Sequence, residues 1–402
     1  MSLAIDPIIS NLFFSLSLIP HMTSPQIPVV IKTTITQKPY VSVLITLYKE
    51  YMEDINMTIT SLIAQTYPKE NFEVIMIVEQ DDETTKRHVY DCHKNLQRIG
   101  ISSKVIQSDG KKRLKPYALN IGLRYAEDKY CAFYDTSDYI EPDQIQKAIS
   151  LLEEKNKDVV QATVLRYGNS LLSRFLFFDT LLWYRKYLPV TLHFAEGIPL
   201  SGEGLFIRTD VLKEVRYFPE VITEDAAMGL LLTEKNKNFG LLDSIVIEKA
   251  PLTTKSHITQ KSRWYRGYIV CLRRLIDSDL PMKKKFFFFL LFVSPITSSL
   301  AFIGLLLLLC NVFFQLILPH IQLSAPWMAT SIYQEFLSYW SFLLAFVGIP
   351  LWIISYAHTL TVHDLSKCIP WLVFVPVYWF FVGLCAFVSF FRGTKNWGKT
   401  IR

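Results

Sequence analysis

The stretch VSVLITLYKE (Val41–Glu50) passes from an apolar run to a polar end. Its first part is short, almost wholly apolar and rich in β-branched residues, which predicts a buried strand. Similar runs follow at Val74–Val78, Ser103–Ser108 and Tyr130–Asp135, with helical patterns between them. Strands that alternate with helices indicate parallel pairing in a sheet covered by helices, so we expect an α/β fold.

Polar and largely acidic residues follow the predicted strands and recur farther along the chain. They are TLYKE (Thr46–Glu50), EQDDETT (Glu79–Thr85), DTSD (Asp135–Asp138), SGEG (Ser201–Gly204) and TED (Thr223–Asp225). Ligands of open α/β sheets bind beyond the carboxyl ends of the strands, so we expect the chemistry there. Carboxylates gathered at one edge need a positive partner. A divalent metal with a polyanionic ligand would provide it, and so would arginines and water at an ordinary surface.

Composition separates the chain into two parts. Half of the 402 residues are hydrophobic and 14% are aromatic, and the excess lies in residues 286–391. Much of the positive charge flanks this apolar part, which suits anionic lipid headgroups better than nucleic acid, and we find no nucleic-acid motif. The six cysteines form no C-x-x-C pair. This argues against metal clusters and a disulfide framework, and it fits a reducing cytosol.

The apolar part predicts three or four transmembrane helices. Phe286–Leu318 carries no charge and exceeds the roughly 20 residues of one crossing. It predicts either an interfacial turn plus one span, or a hairpin of two short spans around Pro295. Later spans are expected near Phe336–His358 and Ile369–Phe391.

We therefore expect an integral membrane protein whose globular domain is cytosolic. The expected segments are an apolar or interfacial lead-in at 1–37, the globular domain at 38–258, an interfacial helix region at 259–285, the transmembrane region at 286–391 and a basic cytosolic tail at 392–402.

The segment QKSRWYRGY (Gln260–Tyr268) lies just before the apolar part. On a helix, Gln260, Arg263 and Trp264 share one face because they are three and four residues apart. An apolar face would be usual for an amphipathic helix. A basic interfacial helix with aromatic residues at headgroup level is the simpler interpretation of this segment.

As an ordered set, these motifs resemble the membrane-bound family 2 glycosyltransferases, which include cellulose, chitin and hyaluronan synthases and ceramide glucosyltransferase-like enzymes. The set is TLYKE, EQDD, KPYALN (Lys115–Asn120), YDTSD, SGEGLFIR (Ser201–Arg208), TED and QKSRW. The resemblance implies a GT-A-type nucleotide-sugar-binding domain, a mostly parallel sheet flanked by helices, followed by a C-terminal α-helical transmembrane region.

The resemblance also implies an activity. The expected reaction is inverting transfer of a hexose-type sugar from a nucleotide-diphosphate donor, most often a UDP-sugar, to a growing β-linked polysaccharide at the membrane. Transfer of a single sugar to a lipid acceptor remains an alternative. So does a non-catalytic membrane transporter or scaffold that keeps a degenerate nucleotide-binding domain.

The donor residues follow from the same resemblance. Tyr48 would stack on the base, and Glu50 with Asp82 or its neighbour Asp81 would accept hydrogen bonds from base or ribose. Lys115 would face the phosphates from the start of a helix. Asp135 completes the donor set.

Asp135 and Asp138 would hold Mg²⁺ or Mn²⁺, which prefer oxygen ligands. The chain departs from the family pattern at three positions. Ser137 replaces the usual second carboxylate, Lys49 replaces the usual Asn, and Glu203 replaces a smaller residue in a loop expected to face the acceptor.

The remaining residues would act on the acceptor. Asp225 is the expected general base, which takes the proton of the attacking hydroxyl, and Glu224 is the second candidate. These acids also fit a helix N-terminus capped by Thr223, and both interpretations can hold together. Contacts to the acceptor or the diphosphate are expected from Gly202, Glu203, Gln260, Arg263 and Trp264.

Overall fold

The computed structural model describes residues 38–126, 129–321 and 374–391. The predicted lead-in at 1–37, the span at Phe336–His358 and the tail at 392–402 lie outside the described residues. These three segments therefore remain predictions from the sequence.

The first half of the globular part is the alternating pattern that the sequence predicts. Its elements are β1 (Val41–Leu47), α1 (Met52–Ile63), β2 (Phe72–Glu79), α2 (Glu83–Arg98), β3 (Ser102–Ser108), α3 (Lys115–Leu123) and β4 (Tyr130–Tyr134). The pairs β1–β2, β2–β3 and β1–β4 are all parallel. The predicted strands of this half and the helices between them are confirmed.

The second half mixes strand directions. Its elements are β5 (Asp138–Ile140), α4 (Gln144–Glu154), β6 (Val159–Tyr167), α5 (Leu171–Leu182), α6 (Leu188–Ala195), β7 (Leu205–Arg208), α7 (Thr209–Glu214), α8 (Glu224–Glu234) and β8 (Phe239–Lys249). A π-helical turn at Trp183–Tyr187 joins α5 to α6. Together the strands form one eight-stranded sheet in the order β3-β2-β1-β4-β7-β6-β8-β5.

The expected mostly parallel sheet is wrong for this half. The pairs β4–β7, β6–β7 and β5–β8 are antiparallel, and only β6–β8 is parallel. The helical excursion through α5 and α6 returns the chain to the carboxyl end of β4, so β7 runs in the opposite direction. The sheet is therefore mixed, and the SGEG loop before β7 reaches the end of the sheet where β1 and β4 finish.

Apolar burial fixes the position of the end of the sheet where β1 and β4 finish. Every residue of β1, β2 and β4 is buried, because helices cover both faces of the sheet. Each fully buried Val, Leu or Ile contributes about 1.5–3 kcal/mol relative to exposure. The polar strand ends therefore extend from a rigid core.

Among the described residues, four helices follow the sheet: α9 (Thr254–Asp277), α10 (Met282–Phe292), α11 (Ser294–Ile321) and α12 (Val375–Phe391). In the described part of the chain, no one helix is long and apolar enough to span a membrane. The joined segments Met282–Phe292 and Ser294–Leu307 meet that requirement together, with a bend of 43°. The predicted break near Pro295 is present, but the chain bends there instead of reversing, which excludes the tight hairpin.

Candidate active site

One cleft gathers most of the predicted site residues. It lies beyond the carboxyl ends of β1 and β4 and is partly open to solvent. The predicted residues that line it are Tyr48, Glu50, Lys115, Asp135, Gly202, Glu203, Glu224, Asp225, Gln260, Arg263 and Trp264. Asp81, Asp82 and Asp138 are not among its lining residues.

An ion pair lies at the centre of the cleft. Lys115 is the first residue of α3, and its Nζ lies 2.5 Å from Oδ1 of Asp135. Burial lowers the pKa of Lys115, but the carboxylates of Asp135, Glu224 and Glu203 outweigh burial and raise it. Lys115 is thus a fixed positive charge among acidic groups.

The DTSD turn is built around a buried threonine of α1. Thr58 Oγ1 donates to the carbonyl oxygen of Asp135 at 3.1 Å and accepts from the amide of Asp138 at 3.0 Å. Ser137 has a φ of 67°, a left-handed conformation that is uncommon for a residue with a side chain. The turn directs the Asp135 carboxylate towards Lys115.

Asp138 does not occupy the position expected of a metal ligand. Its side chain is fully buried, and Oδ2 accepts the amide of Asp135 at 2.9 Å. Burial and the nearby carboxylates raise its pKa well above the ordinary value. In this conformation Asp138 supports the turn, and direct metal ligation by Asp138 does not agree with the structure.

A divalent cation nevertheless fits the cleft through Asp135. In the described part of the chain no cluster of three or more His, Cys, Asp or Glu side chains could hold a metal by itself. Mg²⁺ commonly takes one or two carboxylates and completes its shell with substrate phosphates and water. Asp135 lines the cleft and offers one such carboxylate.

We use the name donor wing for Tyr48, Asp81 and Arg113. The guanidinium of Arg113 donates to Tyr48 Oη at 3.3 Å and pairs with Asp81 at 2.5 Å. Asp82 has a different position from the one expected, because its carboxylate accepts the amides of Thr85 and Lys49. Asp82 therefore caps α2 and holds the loop after β1, so a direct bond to base or ribose does not fit its placement.

The TED acids lie at the start of α8. Thr223 occupies the N-cap position and the two acids lie in the first turn, as predicted, but the Thr223 side chain makes no capping hydrogen bond. Burial, reinforced by the charge of Asp225 and opposed by Lys115, raises the pKa of Glu224 to about 8. Glu224 thus keeps its proton at neutral pH. Burial also raises the pKa of Asp225, and this carboxylate is partly exposed to the cleft.

Two side chains outside the motifs hold the SGEG loop. Gln161 of β6 accepts the amide of Ser201 and donates to the carbonyl oxygen of Glu203, both at 2.8 Å. The hydroxyl of Tyr184, in the π-helical turn, donates to Ser201 Oγ at 2.6 Å. Gly202 lies so close to Lys115 that a Cβ there would be 2.9 Å from Nζ.

Helix α9 brings Gln260, Arg263 and Trp264 to the cleft along one face, as predicted. The helix begins with a capping box formed by Thr253 and Ser256. Its close contact with the TED loop depends on Gly267, because a Cβ there would lie 1.9 Å from Cγ2 of Thr223. The glycine in QKSRWYRGY thus allows α9 to pack against the loop that carries the acids.

Arg166 on β6 is the main cleft residue that the sequence did not indicate. Its side chain is buried, with Nε 2.5 Å from Glu248 and a terminal nitrogen 3.5 Å from Glu203. Its guanidinium lies 4.8 Å from the ring centroid of Trp264. A charged residue within an apolar strand was the available signal, and its partners are distant in sequence.

Comparisons with known proteins identify the class as glycosyltransferases. Residues 133–391 match the model of Glycosyl transferase family group 2, and residues 42–208 match Glycosyl transferase family 2. The first match covers more than half of the chain. The chain therefore belongs to the family 2 glycosyltransferases and is a glycosyltransferase.

Relatives support the family at low identity. Over 274 residues the chain is 22% identical to the probable glycosyltransferase YdaM of Bacillus subtilis (strain 168), covering 67% of this chain and 64% of that protein. It is 25% identical over 163 residues to the poly(ribitol-phosphate) beta-N-acetylglucosaminyltransferase TarS of Staphylococcus aureus (strain MW2), covering 40% of this chain and 26% of TarS. The chain thus spans less than two thirds of either relative.

A solved structure supports the fold. The mannosyltransferase PcManGT from Pyrobaculum calidifontis, in complex with GDP-Man and Mn²⁺, superposes with a TM-score of 0.60 at 16% identity, covering 90% of this chain and 96% of the other. At this identity the likeness concerns the fold alone. It confirms the GT-A-like α/β architecture with a mixed sheet flanked by helices.

Proposed function

We propose that this glycosyltransferase moves a hexose-type sugar from a UDP-sugar or related nucleotide-diphosphate donor to a growing β-linked polysaccharide at the membrane, as the cellulose, chitin and hyaluronan synthase-like enzymes do. The observation that carries the proposal is the convergence of Lys115, Asp135, Asp225 and Arg263 on one cleft. Two cations beside two carboxylates suit a reaction in which a diphosphate leaves and a hydroxyl loses its proton.

The reaction is one in-line displacement. The acceptor hydroxyl oxygen attacks the anomeric carbon while its proton passes to Asp225, and the bond from that carbon to the diphosphate oxygen breaks. The nucleoside diphosphate leaves with the electron pair, so an α-linked donor gives a β-linked product. Asp225 suits the base because neighbouring Glu224, with its pKa of about 8, is protonated at neutral pH.

The leaving group is stabilised by positive charge. Lys115 and Arg263 offer an ammonium and a guanidinium to the diphosphate oxygens. When bound by Asp135 and the phosphates, Mg²⁺ or Mn²⁺ would act as a Lewis acid on the developing charge. Tyr48, which lines the cleft with Asp81 and Arg113 beside it, would receive the base.

We further propose that the C-terminal helices lie in the bilayer and that the globular part lies on its cytosolic side. Leu300, Leu307 and Phe313 of α11 are exposed apolar side chains, and Lys283–Lys285 precede them. Basic residues beside apolar helices favour the cytosolic face. Retention of the protein in membranes washed with alkaline carbonate is expected, and full release would contradict this assignment.

Two other acceptors remain candidates. Single transfer to a lipid would need the same base and cations, and proximity to the apolar helices favours it. TarS is named for a poly(ribitol-phosphate) acceptor, so a polyol phosphate polymer is the third. Family membership removes the non-catalytic scaffold as a description of the chain.

Donor turnover tests the proposal. Purified full-length protein in detergent with Mn²⁺ and a panel of nucleotide sugars should release nucleoside diphosphate, with at least one uridine donor preferred. Mass spectrometry of the products then separates polymer from glycolipid. Absence of release with every donor and acceptor would contradict the proposed function.

A further inference from the structure

The acceptor end of the cleft has a definite hydrogen-bonding character. We use the name acceptor end for Arg166, Glu203, Gln260 and Trp264, which line the cleft beside Asp225. Gln260 is buried, and its Oε1 has no hydrogen-bond partner among the described residues. Glu203 is also buried. Both present oxygen atoms that accept hydrogen bonds, so they suit the hydroxyl groups of a ligand, which donate them.

The indole of Trp264 adds an apolar surface with a fixed orientation. The guanidinium of Arg166 lies against its ring, which is a favourable cation–π arrangement. Arg166 is itself held by Glu248 of β8. The indole is therefore set in place before any acceptor arrives. Trp264 is only 6% exposed, and the part that lines the cleft is where the C–H face of a sugar ring would pack.

The charge of this end is unfavourable for an anion. The positive charge of Arg166 is shared by two carboxylates, Glu248 and Glu203. Asp225 adds a further carboxylate to the same side of the cleft. Lys115 is paired with Asp135 and, with Arg263, would be engaged by the donor diphosphate. Among the described residues that line the cleft, a phosphate group beside the accepting hydroxyl would thus meet acidic side chains and no further cation.

We propose that the acceptor end selects an uncharged, hydroxyl-rich sugar unit and disfavours acceptors that carry phosphodiesters, with Glu203 as the residue that determines this selectivity. Hydroxyls of the unit donate to Glu203 and to Gln260 Oε1, and its ring lies on Trp264. Arg166 acts as a positioning residue for both Glu203 and Trp264. This proposal rests on the proposed glycosyl transfer and names the acceptor class for it.

The test compares two acceptor chemistries on the full-length enzyme. The probes are neutral β-linked oligosaccharides, such as cello- and chito-oligosaccharides, and poly(ribitol phosphate), each with the donor that the enzyme prefers. We expect kcat/KM for the best neutral probe to exceed that for poly(ribitol phosphate) by at least about tenfold. Equal values, or preference for poly(ribitol phosphate), would overturn the proposal.

The variant Glu203→Gln keeps the size of the side chain and leaves Arg166 paired with Glu248. We expect the preference for the neutral probe to fall at least about fivefold, with the KM for acceptor changing more than the Kd for donor. Glu154→Gln, on an exposed residue of α4, controls for the loss of one charge and should keep the wild-type preference. An unchanged preference in Glu203→Gln would overturn the role of Glu203.

Gln260→Leu provides a second, independent variant if Glu203→Gln does not fold. Loss of its buried acceptor oxygen should raise the KM for the neutral probe more than the donor Kd, and no rise in that KM would contradict the assignment. The outcomes separate the two proposals. Preference for the phosphodiester polymer overturns only the acceptor class, whereas no nucleoside diphosphate release with any probe overturns the proposed function itself.

Discussion

The donor wing and the acceptor end carry similar groups but are built in opposite ways. In the donor wing, Arg113 and Asp81 form an ion pair whose side chains are 58% and 51% exposed. At the acceptor end, Arg166 and Glu248 form a pair that is 2% and 0% exposed. Exposed pairs contribute little to stability, whereas breaking a buried pair leaves a charge without compensation. The acceptor end is thus fixed before binding, and the donor wing is free to adjust to the nucleotide.

The largest effect should come from breaking the buried pair. Arg166→Met leaves Glu248 and Glu203 without their cation, so we expect the free energy of unfolding to fall by about 3–5 kcal/mol. Arg113→Met is the matched change in the donor wing and should cost less than about 1 kcal/mol. Urea unfolding in detergent measures both. Equal losses in the two variants would remove the contrast between the two regions.

Packing of α9 on the TED loop gives the next effect. Gly267→Ala places a methyl group 1.9 Å from Thr223 Cγ2, so overpacking of about 1–3 kcal/mol is expected. Gly304→Ala on α11 is the control, because no atom lies within 4 Å of its added Cβ. It should be neutral or stabilise by up to about 1 kcal/mol.

A double variant tests the cause of this loss. Combining Gly267→Ala with Thr223→Gly removes the clash, so the two changes together should cost less than their sum by at least about 0.5 kcal/mol. Strict additivity would mean that Gly267 acts through another contact.

A single hydroxyl connects the π-helical turn to the SGEG loop. Tyr184→Phe removes the bond to Ser201 Oγ and should cost about 1 kcal/mol. We expect the KM for acceptor to rise more than the Kd for donor, because we propose that Glu203 of this loop binds the acceptor. Ser201→Ala should have the same effect, and the double variant should cost no more than either. A change confined to the Kd for donor would contradict the proposed contact between this loop and the acceptor.

The smallest effect concerns pH. The pKa of Glu224 in the folded protein, about 8, exceeds its ordinary value of 4.5. Between those values the folded state keeps a proton that the unfolded state has lost, so the free energy of unfolding decreases as pH rises through that window. Glu224→Gln should flatten this part of the profile, as measured by unfolding at pH 5.5 and pH 8. The same slope in both proteins would mean that Glu224 titrates normally.

The first half of the fold could be predicted because its buried strands are continuous apolar runs. Val41–Leu47 and Phe72–Glu79 have no polar alternation to confuse their assignment. The second half could not, because strand direction depends on where α5 and α6 return the chain. Trp183 and Tyr187, in the turn that joins these helices, are buried. Periodicity in the sequence does not show how such side chains pack.

The candidate site, like the fold, could be predicted only in part. Residue type and order indicated which motifs meet, and residues as distant as Lys115 and Arg263 line one cleft. The sequence does not show which way each carboxylate points. It therefore predicts Asp82 and Asp138 in the site, although in the structure both bind backbone amides. Arg166 was missed because its role depends on Glu203, Glu248 and Trp264, which are far from it in sequence.

Paired measurements on Asp225→Asn address the central claim, that a base at the start of α8 takes the proton of the acceptor hydroxyl as it attacks a donor held by Lys115 and Asp135. The expected result is donor binding within about threefold of wild type and release of nucleoside diphosphate reduced by about 10²–10⁴-fold. Asp243→Asn, an exposed residue of β8, should behave as wild type. Normal turnover by Asp225→Asn would contradict the account.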